Sequence, residues 1–338
     1  MNLEDKKYAP FGLVADMMAT SELISGYDVS EAEQLGTIVA GVGRLFLTGE
    51  GSSRIFPAKH AITQARRYGD RLPLHTEAGL QARGYDLRDW AVVAASNSGR
   101  TSEVVGLLRA LREWHHPHLY SLAAFADSPL EACATRGFVL RCGKESAVAA
   151  TKSVVEQALF CQMLVARAAR RACDPEPLRS LGEVFGRTLG LPIEPGIVEK
   201  LAKAQTIYFA GKNDGVAEEL TLKTNEIARK RSDFLEGTYA VHGIEEVMSD
   251  SDVVVWVDPD AESEQKFSEV LAKGVGLTVV AISDHDTIFP TIRVPSHSMS
   301  SYVMLAAGWN LLVEVGVMLG VDIDRPTRAR KVGNEVLG

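Results

Sequence analysis

The sequence predicts an α/β protein made of two doubly wound parallel sheets, and three observations carry that prediction. Short apolar runs alternate with helical spacings along the chain, as parallel strands joined by helices require. Two of these runs stop in Gly/Ser/Thr-rich turns that open directly into a helical segment. The same plan then restarts after residues 190–196, where Gly190, Pro192, Pro195 and Gly196 break the helical pattern. At 338 residues the chain suits two domains rather than one.

Residues 11–44 carry Leu13, Met17, Met18, Leu23 and Ile24, and after Ser30 as a cap Leu35, Ile38 and Val39, a helical periodicity. Residues 44–48 read as a buried strand, 49–54 as a Gly/Ser loop and 55–68 as a helix. Further strands are expected at 72–78, 90–95, 120–125 and 137–141, with helices at 102–114 and 129–134 and one long apolar helix over 147–171. In the helix at 102–114 the apolar positions are Val104, Val105, Leu107, Leu108 and Leu111. The second half gives strands at 206–210, 253–257, 277–283 and 291–294, and helices at 216–231, 262–273 and 301–319. A charged tail, 322–338, follows. The second half lacks a Ser/Thr cluster after its strands and is not expected to hold the same ligand as the first.

A hydrophobic content of 46% and a charged content of 24% are those of a globular protein. The net charge of −8 and pI near 5.6 speak against general nucleic-acid binding. Residues 1–10 are charged and lack the apolar core of a secretory leader. No apolar run approaches the roughly 20 residues that span a bilayer, so no membrane partner is expected. Cys133, Cys142, Cys161 and Cys173 show no CxxC spacing; reduced thiols and a cytoplasmic location follow as expectations. No HExxH or Asp/His cluster points to a metal, and no cofactor is expected.

The chemistry-bearing stretch is Ser96-Asn97-Ser98-Gly99-Arg100-Thr101, at the end of an apolar strand and the start of a helix. Such a turn aims hydroxyls and backbone N–H groups at one spot, where the helix dipole favours an anion, phosphate above all. The same residues also fit an ordinary βα turn with capping hydroxyls. A second turn of the same design, Gly49 to Arg54, holds Ser52 and Ser53. Ligands of doubly wound sheets sit off the carboxyl ends of the strands, so both turns can serve one pocket. In the second half, Glu219, Lys223 and Glu226 share one face of the helix over 216–231, which also fits a solvated, salt-bridged face. His242 lies in a Gly-bracketed loop, where an imidazole can transfer protons. A Glu base and a His beside an anion cradle suggest proton abstraction next to a carbonyl.

These motifs, taken in order, resemble proteins made of two sugar isomerase (SIS) domains, flavodoxin-like three-layer α/β/α units. The isomerase half of glucosamine-6-phosphate synthase and related sugar-phosphate isomerases, deaminases and deglycases share the pattern. Gly51-Ser52-Ser53 is similar to the family's Gly-Thr-Ser loop, and Ser96 to Thr101 to its Ser-Gln-Ser-Gly-Glu-Thr loop. Val148-Ala149-Ala150-Thr151-Lys152 resembles Val-Ala-Ser-Thr-Lys, which lines the sugar site. Leu222-Lys223-Thr224-Asn225-Glu226 resembles Leu-Lys-Leu-Lys-Glu, His242-Gly243 its His-Gly, and Asp324-Arg325-Pro326 with Lys331 its Asp-Gln-Pro…Ala-Lys tail. The resemblance implies an N-terminal helical segment over 1–30, SIS domains over 31–190 and 191–320, and a tail over 321–338 that closes over the site.

It further implies that Ser52, Ser53, Ser96, Asn97, Ser98 and Thr101 hold an anionic sugar, with Val148 and Lys223 also on the substrate side. Glu226 would shuttle a proton between C1 and C2, His242 would assist ring opening in the partner's site, and Lys331 would stabilise the open-chain carbonyl. A homodimer with shared active sites follows from that role of His242. The chain carries no glutaminase segment and no Cys at position 2, so glutamine-driven amination is not expected. Arg100 stands where the family often has an acid, and Arg54 follows the first turn; either can pair with a phosphate or sulfonate, or lie at the rim facing water. The reaction implied first is aldose–ketose isomerisation of a hexose with an anionic C6 group, phosphate before sulfonate, through a cis-enediol. Deamination or deglycation of an amino-sugar phosphate, and non-catalytic sensing of a sugar phosphate, stand beside it.

Overall fold

A computed structural model describes residues 1–331 and 333–336. In chain order the elements of the first half are α1 (Gly12–Ser25), α2 (Ser30–Val42), β1 (Leu45–Gly49), α3 (Ile55–Arg67), β2 (Leu74–Ala78), α4 (Gly79–Ala82), β3 (Ala91–Ala95), α5 (Ser102–Glu113), β4 (Leu119–Ala123), β5 (Arg136–Val139) and α6 (Lys152–Ala168). Then come α7 (Glu176–Leu189), α8 (Pro195–Lys203), β6 (Thr206–Gly211), α9 (Val216–Lys223), β7 (Arg231–Glu236), β8 (Val253–Val257), α10 (Glu264–Phe267), β9 (Thr278–Ser283), β10 (Thr291–Arg293) and α11 (Ser300–Met318). Two all-parallel five-stranded sheets result, in the orders β2-β1-β3-β4-β5 and β7-β6-β8-β9-β10. Both halves therefore repeat one doubly wound topology, as their patterns predict.

The compact units are discontinuous in sequence. One comprises Glu22–Glu145, Ala150–Arg179 and Arg330–Gly338, and holds the first sheet. The other comprises Met1–Ser21, Ser146–Ala149 and Ser180–Ala329. The N-terminal segment thus groups largely with the second sheet, and the tail is divided after Ala329.

In the first unit the central strands β1, β3 and β4 are buried along their whole length, which is why they read as continuous apolar runs. Helix α5 buries Val104, Val105, Leu107, Leu108 and Leu111 against Phe46, Val92 and Ala94 of the sheet. Each such side chain contributes roughly 1.5–3 kcal/mol relative to exposure. Helix α6 packs on α2 and α3. Gly36 of α2 marks the closest approach: a Cβ there would lie 2.7 Å from the Leu164 carbonyl oxygen and 2.6 Å from Arg167 Cβ.

In the second unit Trp256 stacks on Phe267 at 3.7 Å, and Trp309 of α11 meets Phe185 edge-on at 5.8 Å. Helix α11 is long and apolar enough to cross a membrane by composition, yet 83% of that window is buried. It is the core helix of this unit.

Several elements differ from the sequence pattern. Residues 129–134 make only one 3-10 turn, Glu131–Cys133, because Thr135 N–H already donates to Leu119 O and leads the chain into β5. The long helix starts at Lys152 rather than 147, since the Thr151 and Ser153 N–H groups donate to the Glu145 carboxylate. The helix expected over 216–231 stops earlier. After α9 it widens into a π-turn, Thr224–Ala228, and Arg229 ends it in the left-handed region at φ 55°. Residues 231–236 then form β7, an edge strand whose polar alternation hides it from an apolar-run reading. The helix expected over 262–273 likewise becomes a short α10 and a π-turn segment, Ser268–Val275. Helix α7 is not marked by the sequence pattern because Gly182 and Gly186 interrupt the amphipathic spacing of Leu178, Leu181, Phe185 and Leu189, and α8 because Pro195 and Gly196 sit at its start.

Gly36→Ala is expected to destabilise the protein by about 1–3 kcal/mol, the range for overpacking a close helix contact. A denaturant midpoint at wild-type values would show that the α2–α6 crossing has slack.

Candidate functional site

Strand order in the first sheet reverses between β1 and β3, which lie side by side and parallel. Connections from these strands diverge to opposite faces, opening a crevice at their carboxyl ends. Both hydroxyl turns leave from this edge. The first is a single 3-10 turn, Gly51–Ser53, in which Arg54 N–H donates to Gly51 O; Ser52 is buried, and Ser53 and Arg54 are half-buried.

The second turn is tied internally. Ser96 Oγ lies 2.8 Å from Thr101 Oγ1 and accepts from Gly99 N–H at 3.1 Å, while Ser98 Oγ accepts from Arg100 N–H at 3.1 Å. Gly99 has φ +65°, and a Cβ there would meet Ser128 Oγ at 2.4 Å, so no other residue fits. Thr101 holds the N-cap position of α5, but its hydroxyl faces Ser96 instead of capping the helix.

Glu145 is the hub of this region, although the sequence pattern did not single it out as a site residue. Its side chain is buried, and it accepts from Asn97 Nδ2 at 2.9 Å, Thr151 N–H at 2.7 Å, Ser153 N–H at 3.2 Å and Ser153 Oγ at 3.0 Å. Lys331 of the tail donates its ammonium to the same carboxylate at 2.8 Å. Burial alone would push the Glu145 carboxyl up; the Lys331 charge, its hydrogen bond and the two backbone donors outweigh this and hold it below the usual carboxylate range. Asn97 Oδ1, by contrast, is buried without a hydrogen-bond partner among the described residues. A lone acid in the mostly apolar stretch before a Thr-Lys-Ser helix start was the available signal for Glu145.

The tail also runs along the second turn. Val336 N–H donates to Arg100 O, Ser102 N–H to Asn334 O, and Asn334 Nδ2 to Glu103 Oε1 at 2.7 Å. Arg100 pairs with Glu335 through its Nε. Its side chain stays 43% exposed while the guanidinium meets the chain's own tail.

In the second unit Lys223 is wholly buried between two carboxylates, Glu226 Oε2 at 2.6 Å and Glu219 Oε1 at 3.2 Å. Burial alone would lower its pKa, but the two carboxylates raise it well above the usual lysine value. Glu219, Lys223 and Glu226 do share a face, but Glu219 and Lys223 have no exposure. The solvated face is excluded. Glu226 keeps 23% of its side chain exposed and sits in the π-turn, an irregularity that recurs at functional positions. His242 is exposed, with Nε2 3.2 Å from Thr238 Oγ1, and makes no hydrogen bond to Glu226 among the described residues. Val148 is half-buried, and its N–H donates to Asp324 O, while the Asp324 carboxylate accepts from Gly12 and Leu13 N–H at the start of α1.

The corresponding crevice of the second sheet is closed. It leaves about 10 Å³, with Lys212 paired to Asp258 and Ser301 Oγ donating to Asp214 at 3.1 Å. Among the described residues no three His, Cys, Asp or Glu side chains group as a metal would need. Cys133, Cys142 and Cys161 are buried and Cys173 half-buried, all as free thiols. Burial pushes Cys161 up to about 12, so it is inert as a nucleophile.

The two repeated sheets have the double SIS-domain fold, and in sequence the chain resembles part of the isomerising aminotransferases. Glutamine–fructose-6-phosphate aminotransferase [isomerizing] of Aeropyrum pernix is 27% identical over 332 residues, 87% of this chain and 51% of that protein. The same enzyme of Acidithiobacillus ferridurans is 26% identical over 81% of this chain and 46% of its own length. The chain thus spans about half the length of these curated relatives. Among solved structures, the C-terminal domain of glucosamine-fructose-6-phosphate aminotransferase from Francisella tularensis superposes with a TM-score of 0.77 at 18% identity, covering 95% of this chain and all of that one. Glucosamine-6-phosphate deaminase from Thermotoga maritima gives 0.71 at 15% identity, over 95% and 99% of the two chains. No protein-family model matches the chain.

A carboxyl held below its unfolded value stabilises the fold above that value, about 4.3 for Glu, and the contribution is lost as pH falls through the lower folded value. Urea midpoints taken from pH 6 down to pH 3 are therefore expected to fall in the wild type and to fall less steeply in Glu145→Gln. Parallel curves would remove Glu145 as an acid-sensitive tie.

Proposed function

We propose that this protein is an aldose–ketose isomerase acting on a hexose with an anionic C6 group, phosphate in the first instance. The observation that supports it most is the meeting of Asn97, from the hydroxyl turn at the switch point of the first sheet, and Lys331, from the tail, on the one buried carboxylate of Glu145. That arrangement joins an anion-holding turn to a cation suited to a developing oxyanion. The resemblance in sequence to the isomerising half of the aminotransferases points the same way.

On this reading the hydroxyls of Ser52, Ser53, Ser96, Ser98 and Thr101 bind the C6 anion, and the unpartnered Asn97 Oδ1 accepts from a sugar hydroxyl. Glu226 removes the proton from one of C1 and C2 and returns it to the other, through a cis-enediol. Lys331 opposes the negative charge that builds on the substrate oxygen. His242 moves the proton between O5 and O1 during ring opening, in the site of a second copy. Exposed Tyr239 and Val247 near it in sequence suit an interface. Lys223 fixes the Glu226 carboxylate.

Fructose 6-phosphate incubated in D₂O and followed by NMR is expected to exchange its transferable proton with the wild type. Glu226→Gln should lower turnover by about 10²–10⁴-fold, the usual contribution of a positioned base. Full exchange by Glu226→Gln would refute the mechanism. Ammonia released from glucosamine 6-phosphate, without isomerisation of hexose 6-phosphates, would move the protein to the deaminase reading.

A further inference from the structure

The second unit carries a cavity of about 580 Å³ that the isomerase reading does not use. Its walls are the turn after the Glu226 π-helix and the chain from Val321 to Ala329. Five cations line it, Arg229, Lys230, Arg231, Arg325 and Arg328, against a single carboxylate, Asp322. This is a dense positive cluster on a chain whose net charge is −8.

None of these cations forms a salt bridge among the described residues, although the Asp322 and Glu226 charges lie near enough to Arg229 to oppose part of the effect of its burial. Arg229 Nη2 donates to the Asp322 backbone oxygen and Lys230 Nζ to Ala202 O, so both meet carbonyls rather than carboxylates. Arg229 Nη1 is buried and has no hydrogen-bond partner among the described residues. Burial lowers the pKa of Arg229 and of Lys230, as it does for cations held close to protein without full compensation. Arg229 is held there by its left-handed backbone, which turns the chain sharply between the π-helix and β7.

We propose that this cavity is a binding site for a small molecule bearing a chain of two or more phosphates, such as inorganic polyphosphate or a nucleoside triphosphate. A phosphate monoester carries about −1.5 to −2 charge, less than half of what the five cations meet. Several phosphates in a row match both the charge and the spread of the lining. Guanidinium forks bind phosphate oxygens in pairs, and four of the five cations are arginines. The volume lies within the range of small-ligand sites, and Val321 and Pro326 supply an apolar wall on which a nucleobase can rest.

The test is calorimetric titration of the full chain with sodium tripolyphosphate and, separately, with ATP, each at low and at moderate salt. Saturable one-to-one binding is expected, weakened by salt. Arg328, exposed in the tail, can be changed without disturbing packing; Arg328→Ala should weaken binding at least tenfold, and Arg229→Lys should weaken it while keeping the charge. Ser98→Ala should leave the affinity intact, which separates this cavity from the hydroxyl turns. Equal affinity for the two ligands assigns recognition to the phosphates alone, and tighter ATP binding adds the apolar wall; either supports the site. No saturable binding, binding unchanged in Arg328→Ala, or loss confined to Ser98→Ala overturns it. So does a change of oligomeric state in Arg328→Ala at unchanged affinity, which would make this face a contact between copies of the chain.

Discussion

A carboxylate taken out of water must be met by donors, and Glu145 is met by an amide, two backbone N–H groups, a hydroxyl and an ammonium. Removing one partner of such a buried pair typically costs about 3–5 kcal/mol, because the other charge is left uncompensated. The constraint organises the first unit at long range in sequence. It caps the start of α6, holds the hydroxyl turn through Asn97, and anchors a tail residue 186 positions away.

The two sheets share a strand order but have diverged at their carboxyl edges. In the first, the polar groups of the edge are hydroxyls on turns, and the crevice is lined by groups that accept and donate readily. In the second, Lys212, Asp258, Asp214 and Ser301 satisfy each other and the edge is filled. The second unit has instead placed its polar chemistry on α9 and the turn after it, where Glu219, Lys223 and Glu226 form a row. One topology thus carries its polar groups on strand-end turns in one unit and along a helix and the turn after it in the other.

The parallel sheets were legible because buried strands such as β1, β3 and β8 are uninterrupted apolar runs, and because α5 repeats its apolar positions at helical intervals. What escaped did so for physical reasons. Edge strand β7 has one face to solvent and reads as polar. The π-turns keep a helical pattern in sequence while changing the hydrogen bonding, so no periodicity marks them. Glycines in α7 mask an amphipathic face whose stability comes from packing, not propensity. Of the site residues, the turns announce themselves by composition, whereas Glu145 matters through contacts that only folding creates. Likewise, the pairing of Arg100 with Glu335 depends on where the tail lies, which no local pattern encodes.

The row on α9 has a stereochemical corollary. Lys223 binds Glu226 through Oε2, and Lys223 itself is locked by burial and by Glu219. The carboxylate therefore cannot swivel freely, and it offers its other oxygen, Oε1, to whatever approaches. A group that collects and redelivers a hydrogen with one fixed oxygen works from a single side of a planar intermediate. On the isomerase reading, the label exchanged at C2 and the one delivered to C1 would consequently share one prochiral face.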